Sequence, residues 1–301
     1  MTAVVLHPIH PPGVVEALGD IDLDVRVPAE SEISEGLVDD GILVTFRWDD
    51  RYIPNLRWLQ SISAGHDQFP VDEFRRLGVV LTSASGVHAP QVTEHAFALL
   101  LSLTRGIGVS TRLATEAKWK PMMLAELTGR TMAVLGLGTI GEEVARRARA
   151  WGLRVIGSTR HPADYRGVAE NVVTPDKTAD LFREADIVVS VLPGGPGTTG
   201  LVTRSMLESL GGWFVNVGRG NVVTEEDLLA ALESGGLLGA GLDVFETEPL
   251  PSSSPLWSHP RVVITPHNAG FSPHYGRRLA AIVDANLPAH RGEGEWMNRV
   301  V

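Results

Sequence analysis

Residues 131–160 constrain this chain more than any other stretch. Thr131 to Leu135 is a short apolar run of strand type, and it enters Gly136-Leu137-Gly138-Thr139-Ile140-Gly141. Glu142 to Trp151 then reads as a helix, and Leu153 to Gly157 as a second strand. A G-x-G-x-x-G turn at a strand-to-helix crossover is the dinucleotide-binding fingerprint of a βαβ unit. Gly136 permits the tight turn, Gly138 lets the backbone approach a pyrophosphate, and Gly141 lets helix and strand pack closely. The helix start, with Thr139 and Ile140 beside Gly141, offers free N–H groups and a partial positive charge to the phosphates. In a chain with 32 glycines the motif alone says little, and a Gly-rich turn without a ligand is the alternative. The strand before it and the helix and strand behind it give it weight.

The remaining pattern extends this unit and adds another. At 301 residues the length suggests about two domains. Residues 3–7, 23–27, 41–46, 57–62 and 79–82 are short apolar runs with helical or turn segments between them, which predicts a first, smaller parallel α/β unit. Glu94 to Thr104 reads as a helix that is apolar nearly all round, hence buried between two layers. After Thr131 the later strands are 187–192, 213–217, 239–244 and 262–265. Thr224 to Leu232 is a helix with Thr224 as N-cap and Asp227 three residues on, and Tyr275 to about Leu287 is helical again.

Composition excludes several function classes. The chain has no cysteine, so it has no disulfide, thiolate metal site or Cys nucleophile, and no metal is expected. A formal net charge of −10 argues against a nucleic-acid partner, which would want a basic face. The N-terminus lacks a basic segment and a long apolar run, and Ala96 to Leu101 is far too short to span a bilayer. No membrane partner is expected, and a cytoplasmic location is.

The second strand of the fingerprint unit indicates which dinucleotide. An NAD site usually places Asp or Glu there to bind the ribose 2′-hydroxyl. This strand runs out through Gly157-Ser158-Thr159-Arg160-His161, with no carboxylate. Ser158 and Thr159 offer hydroxyls, and Arg160 offers a guanidinium suited to a 2′-phosphate. NADP(H) is therefore the expected cofactor, with NAD(H) as the second possibility; the bland alternative leaves Arg160 as a solvated surface residue.

Three further stretches end strands on the same side: Val215-Asn216-Val217-Gly218-Arg219-Gly220, the run from Gly241 to Pro251, and Ile264-Thr265-Pro266-His267-Asn268-Ala269-Gly270. With the glycine turn, with Ser63-Ala64-Gly65-His66-Asp67 and with Thr93-Glu94-His95-Ala96, they resemble the D-isomer-specific 2-hydroxyacid dehydrogenases over nearly the whole chain. Within that family the chain is most similar to the glyoxylate/hydroxypyruvate reductase-like members. The resemblance implies two Rossmann-like, doubly wound parallel-sheet domains with a cleft between them. A flavodoxin-like substrate domain would take residues 1–98 plus 271–301, and a dinucleotide-binding domain 99–270. It implies a homodimer formed through the 96–113 region, and a small 2-keto or 2-hydroxy acid as substrate. The family's catalytic Arg, Glu and His fall on Arg219, Glu248 and His267, and its nicotinamide-carboxamide acid falls on Asp243. Ala64 and Gly65 would complete, with Arg219 and His267, the binding of the substrate.

These residues make chemical sense without the family. Reducing a 2-keto acid needs a carboxylate anchor, a proton donor and a hydride. Arg219, flanked by two glycines, can bind the carboxylate and polarise the carbonyl. His267 can give the proton, and Glu248 behind it would orient it and favour its charged form. Leu192 and Pro193 follow a strand and could line the nicotinamide ribose, with Val217 and Gly218 on the neighbouring turn. Thr93 could contact the cofactor or only cap its helix. His66 and His88 are more simply surface residues, and His274 and Tyr275 suit capping or packing. Asn268 departs from the aliphatic residue common after the catalytic His. Two other readings stay open: dehydrogenation of another small anion on the same scaffold, and a non-enzymatic dinucleotide sensor.

Overall fold

The computed structural model describes residues 2–37, 41–66 and 68–301; Asp67, quoted in the first-domain motif, lies outside them. The chain separates into two compact units: Met1–His88 with Phe271–Val301, and Ala89–Gly270.

In the first unit the described strands are β1 (Thr2–Leu6), β2 (Leu23–Arg26), β3 (Ile42–Thr45), β4 (Trp58–Ser61) and β5 (Val80–Thr82). They form a parallel sheet in the order β2-β1-β3-β4-β5, the flavodoxin-like order. Helices α1 (Val14–Gly19), α2 (Ile33–Gly36), α3 (Val71–Leu77) and α10 (Tyr275–His290) belong to this unit. Its central strands are apolar on both faces, as a parallel sheet covered on both sides requires. Val4, Leu6, Ile42, Val44 and Trp58 pack with Val14 and Leu18 of α1 and Leu279 and Val283 of α10. Their strand neighbours Val5, Leu43 and Leu59 point the other way, onto Ile33, Leu37 and Phe74.

The second unit holds β6 (Thr131–Leu135), β7 (Arg154–Ser158), β8 (Asn171–Val173), β9 (Ile187–Ser190), β10 (Trp213–Asn216), β11 (Gly239–Leu242) and β12 (Val262–Ile264). All pair in parallel, in the order β12-β11-β10-β9-β6-β7-β8. Helices α4 (Ala89–Thr104), α5 (Ile107–Thr115) and α6 (Thr139–Ala150) precede or follow β6; α7 (Thr178–Glu184), α8 (Arg204–Leu210) and α9 (Glu225–Ser234) link the later strands. Met132, Val134, Val189 and Val215 pack under Ala96, Leu99 and Leu100 of α4 and Val144 and Ala148 of α6. Ala133, Leu135, Val188 and Phe214 pack on the other face against Leu181, Phe182, Leu207 and Leu228. Each fully buried Val, Leu or Phe contributes roughly 1.5–3 kcal/mol relative to exposure. The chain order reverses between β6 and β9, so the crevice beyond their carboxyl ends is the expected ligand position.

Four local features differ from the sequence reading. Helix α4 is continuous from Ala89, so a boundary drawn at 98/99 falls inside it, and all of it counts with the second unit. Helix α6 starts at Thr139 rather than Glu142, because Gly138 is already its cap. Strand β8 was not anticipated: it is a three-residue edge strand, none of it fully buried, with too little apolar signal to read. Thr224 does cap α9 by accepting from the Asp227 N–H at 3.1 Å, but the Asp227 carboxylate accepts from Arg204 N–H at the start of α8 instead of closing a capping box. No described helix is long and apolar enough to cross a membrane.

Candidate active site

The loops leaving the carboxyl ends of β6, β7, β9, β10, β11 and β12 build the site in the second unit. Gly136 has a φ of 97°, in the left-handed region that favours glycine. A β-carbon at Gly141 would overlap the Gly136 carbonyl oxygen, so turn and helix can approach this closely only without one. At Gly138 nothing lies within 4 Å of where a β-carbon would stand. The turn is tied to β7, since Gly136 and Leu137 N–H both donate to the Ser158 carbonyl, at 3.1 and 2.8 Å. Ser158 is buried, Thr159 half-buried and Arg160 exposed. Arg160 has no hydrogen-bonding or ionic partner among the described residues.

The loop after Arg160 is latched onto α6. The Tyr165 hydroxyl donates to Glu142 Oε2, and Glu142 Oε1 accepts from Val168 N–H at 3.2 Å. Burial, followed by that hydrogen bond, pushes the Tyr165 phenol up to about 12. The next strand inward contributes Ser190, paired in register with Leu135, the residue before the glycine turn. Its buried hydroxyl, like that of Thr93 on α4, has no partner among the described residues. Buried hydroxyls normally find a partner. A glycine cradle, a helix N-terminus, unpaired hydroxyls and a free guanidinium together fit a dinucleotide with its phosphates on α6. Leu192 is buried and Pro193 exposed at the end of β9, and Val217 and Gly218 are buried beside them.

Arg219 follows β10. Buried Asn216 braces its loop from both sides: Oδ1 accepts from Gly218 N–H at 3.1 Å, and Nδ2 donates to the Arg219 carbonyl at 2.9 Å. A β-carbon at Gly218 would stand 2.5 Å from the Leu192 oxygen, so the β9 and β10 loops are in direct backbone contact. The Arg219 side chain is exposed, and Nη1 donates to the Gly218 carbonyl at 2.9 Å. Its other N–H groups have no partner among the described residues.

His267 and Glu248 meet across the β11 and β12 loops. His267 Nδ1 lies 2.6 Å from Glu248 Oε2, while Glu248 Oε1 accepts from Phe245 N–H at 3.0 Å. The carboxylate is thus held facing the ring, and His267 Nε2 is left outward. His267 has a φ of 53°, a conformation that a residue with a β-carbon keeps only where its surroundings impose it.

Asp243 supplies those surroundings. It is 1% exposed. Its backbone carbonyl accepts from His267 N–H at 2.9 Å, and its carboxylate accepts from Asn268 N–H at 2.8 Å and Ala269 N–H at 3.0 Å. The Thr265 hydroxyl donates at 2.6 Å, and His95 Nε2 lies 3.3 Å away. Burial by itself would raise the Asp243 carboxyl; the hydrogen bonds from His95, Thr265, Ala269 and Asn268 outweigh it and hold it down at about 2. Most of the carboxylate's acceptor capacity is therefore used inside the protein, which the sequence reading did not anticipate. It also missed His95, Asn216 and Tyr165. His95 stood in a quoted motif, but nothing local says which strand end that helix face meets.

In the first unit, Ala64 and Gly65 are exposed beyond β4. The Ser63 hydroxyl donates to the Gly65 carbonyl at 2.6 Å, and Ser63 N–H donates to Ser61 Oγ at 3.0 Å. The Tyr275 hydroxyl donates to the Ile62 carbonyl, and His88 lies against the Tyr275 ring at 5.3 Å between centroids. Tyr275 is thus a packing residue, and His274 caps α10 without a side-chain hydrogen bond to it.

Comparison with known proteins agrees with this architecture. Residues 97–269 match the family model of the D-isomer specific 2-hydroxyacid dehydrogenase NAD binding domain. A glyoxylate reductase of Korarchaeum cryptofilum is 33% identical over 298 residues, covering 93% of this chain and 89% of its own. Among solved structures, a protein from Thermus thermophilus aligns over 100% of both chains with a TM-score of 0.78 at 30% identity. An NADPH-dependent glyoxylate/hydroxypyruvate reductase from Sinorhizobium meliloti aligns over 100% of this chain and 97% of its own, with a TM-score of 0.78 at 26% identity.

Proposed function

The chain belongs to the D-isomer specific 2-hydroxyacid dehydrogenases, and we propose that it acts as an NADP(H)-dependent reductase of small 2-keto acids of the glyoxylate or hydroxypyruvate type. The observation that carries this reading is the 2.6 Å contact of His267 Nδ1 with Glu248 Oε2, on the same sheet edge as the exposed guanidinium of Arg219, whose only partner among the described residues is the Gly218 carbonyl. Arg219 binds the substrate carboxylate through paired N–H donors. His267 donates the Nε2 proton to the carbonyl oxygen, and Glu248 holds the ring from behind and supports its positive charge until transfer. The nicotinamide supplies the hydride to the carbonyl carbon when bound. Gly136 to Gly141 hold the pyrophosphate, and Asp243, Thr93, Leu192, Pro193, Val217 and Gly218 are the positions assigned to its nicotinamide end. Ala64 and Gly65 are the backbone positions assigned to the substrate in the first unit.

The preference for NADP(H) rests on Arg160, exposed and without a partner among the described residues, with Ser158 and Thr159 beside it and no carboxylate at the end of β7. The test is oxidation of NADPH and NADH with glyoxylate, hydroxypyruvate and pyruvate. NADPH is expected to be preferred, and Arg160→Ala to lose about 10- to 100-fold of that preference, the worth of one charge-assisted contact. Equal efficiency with both cofactors in the wild type rejects the NADP(H) assignment. Binding of NADPH with no turnover of any keto acid would favour a dinucleotide sensor.

The homodimer belongs to the same proposal. Trp119 and Met123, just after α5, are 95% and 98% exposed, and Ile107 and Val109 on α5 are also exposed. An apolar group of this kind is what a partner surface buries. Sedimentation of Trp119→Ser with Met123→Ser should show monomer where the wild type shows dimer.

A further inference from the structure

We propose that His95 is a positioning residue for the reaction, holding through Thr265 and Asp243 the loop on which His267 stands. The inference rests on the reading of His267 as proton donor. His95 Nε2 lies 2.7 Å from Thr265 Oγ1 and 3.3 Å from Asp243 Oδ1, and Thr265 Oγ1 lies 2.6 Å from the same carboxylate oxygen. An ionised carboxylate only accepts, so the Thr265 hydroxyl hydrogen points to Asp243. Thr265 Oγ1 is then an acceptor toward His95, and His95 Nε2 carries a hydrogen. The direction of the chain is fixed: His95 donates to Thr265, and Thr265 donates to Asp243.

Asp243 passes this constraint to the site. Its carbonyl and carboxylate take the N–H groups of three consecutive residues, His267, Asn268 and Ala269. His267 is the first of the three and the one with the strained backbone, at a φ of 53°. Removing the His95 donor leaves the Thr265 oxygen short of a partner and frees the carboxylate to rotate; the Asn268 and Ala269 N–H groups it holds move with it, and they pull on His267, the residue directly before them. A displacement of about 1 Å at a reacting group is enough for a loss of order 100-fold. The binding of the keto acid carboxylate by Arg219, on the separate β10 loop, is not on this chain of hydrogen bonds.

The experiment compares His95→Phe, which keeps a ring without a donor, with His95→Gln, whose amide carries an N–H at similar reach. His95→Phe should lower reductive kcat about 10- to 100-fold with the keto acid KM within about threefold, and His95→Gln should restore most of the loss. Wild-type kcat in His95→Phe overturns the inference, and so does an equal loss in both variants. If His95→Phe does not fold, as thermal unfolding would show, Thr265→Val takes its place, with Thr265→Ser as the restoring variant. His267→Ala separates the two levels: unimpaired turnover there defeats the reading of the site, and this inference with it, whatever the His95 variants do.

Discussion

Replacing Asp243 by asparagine tests the core of the site by a quantity that does not depend on substrate. The Asp243 carboxyl is held at about 2 against an ordinary value of 3.8. Its folded-state value is depressed, so its contribution to stability is complete above the unfolded value and is lost as pH falls through the folded one. That depression is worth about 2 kcal/mol at pH 7, falling to about 1 kcal/mol at pH 3 and to a fraction of that at pH 2. Asp243→Asn keeps the shape and removes the charge. Either way the amide turns, its NH2 faces a donor: the Ala269 N–H on one side, the Thr265 and Asn268 donors on the other. The variant should therefore lose at least about 2 kcal/mol at pH 7. The assay is denaturant-dependent hydrogen exchange in peptides from β10, β11 and β12, which reports the second unit by itself. The gap between wild type and variant should shrink as pH falls from 5 to 3. Equal stability at pH 7, or a gap that does not narrow, would refute the account of Asp243 as a charged clamp.

Other variants separate the roles of neighbouring residues. Gly141→Ala should disrupt the second unit, because its methyl meets the Gly136 carbonyl, whereas Gly138→Ala should fold normally and bind dinucleotide more weakly, as thermal unfolding and NADPH fluorescence titration will show. Glu248→Gln should lower reductive turnover by about 10- to 1000-fold with little change in substrate KM. Arg219→Ala should raise KM as well, because the carboxylate is held in both ground and transition states; steady-state kinetics of both variants would show the contrast. Tyr165→Phe loses the hydroxyl contacts to Glu142 and Ala169 and should raise the NADPH KM while leaving kcat near wild type, with loss of turnover instead pointing to a role nearer the chemistry.

What the sequence determined by itself is local. Strands buried on both faces write continuous apolar runs, and β6, β9 and β10 were legible for that reason. The glycine turn carries its own chemistry, because close approach and a φ of 97° demand glycine whatever surrounds them. Arg219, Glu248 and His267 stood out because Gly and Pro punctuate the strand ends that carry them. What only the tertiary structure decided is which strand end lies beside which. Asp243 and His267 are 24 residues apart in sequence, and they meet because β12 pairs with β11. His95 reaches Thr265 and Asp243 because α4 lies over β11 and β12, a packing choice that an all-round apolar helix does not encode. Edge strand β8 was hidden for the complementary reason: half-exposed and three residues long, it owes its place to the Ile156, Gly157 and Ser158 register of β7 rather than to an apolar pattern of its own. Residue types and strand ends follow from local periodicity; the hydrogen-bonded clamp around His267 follows from strand order, which local periodicity leaves open.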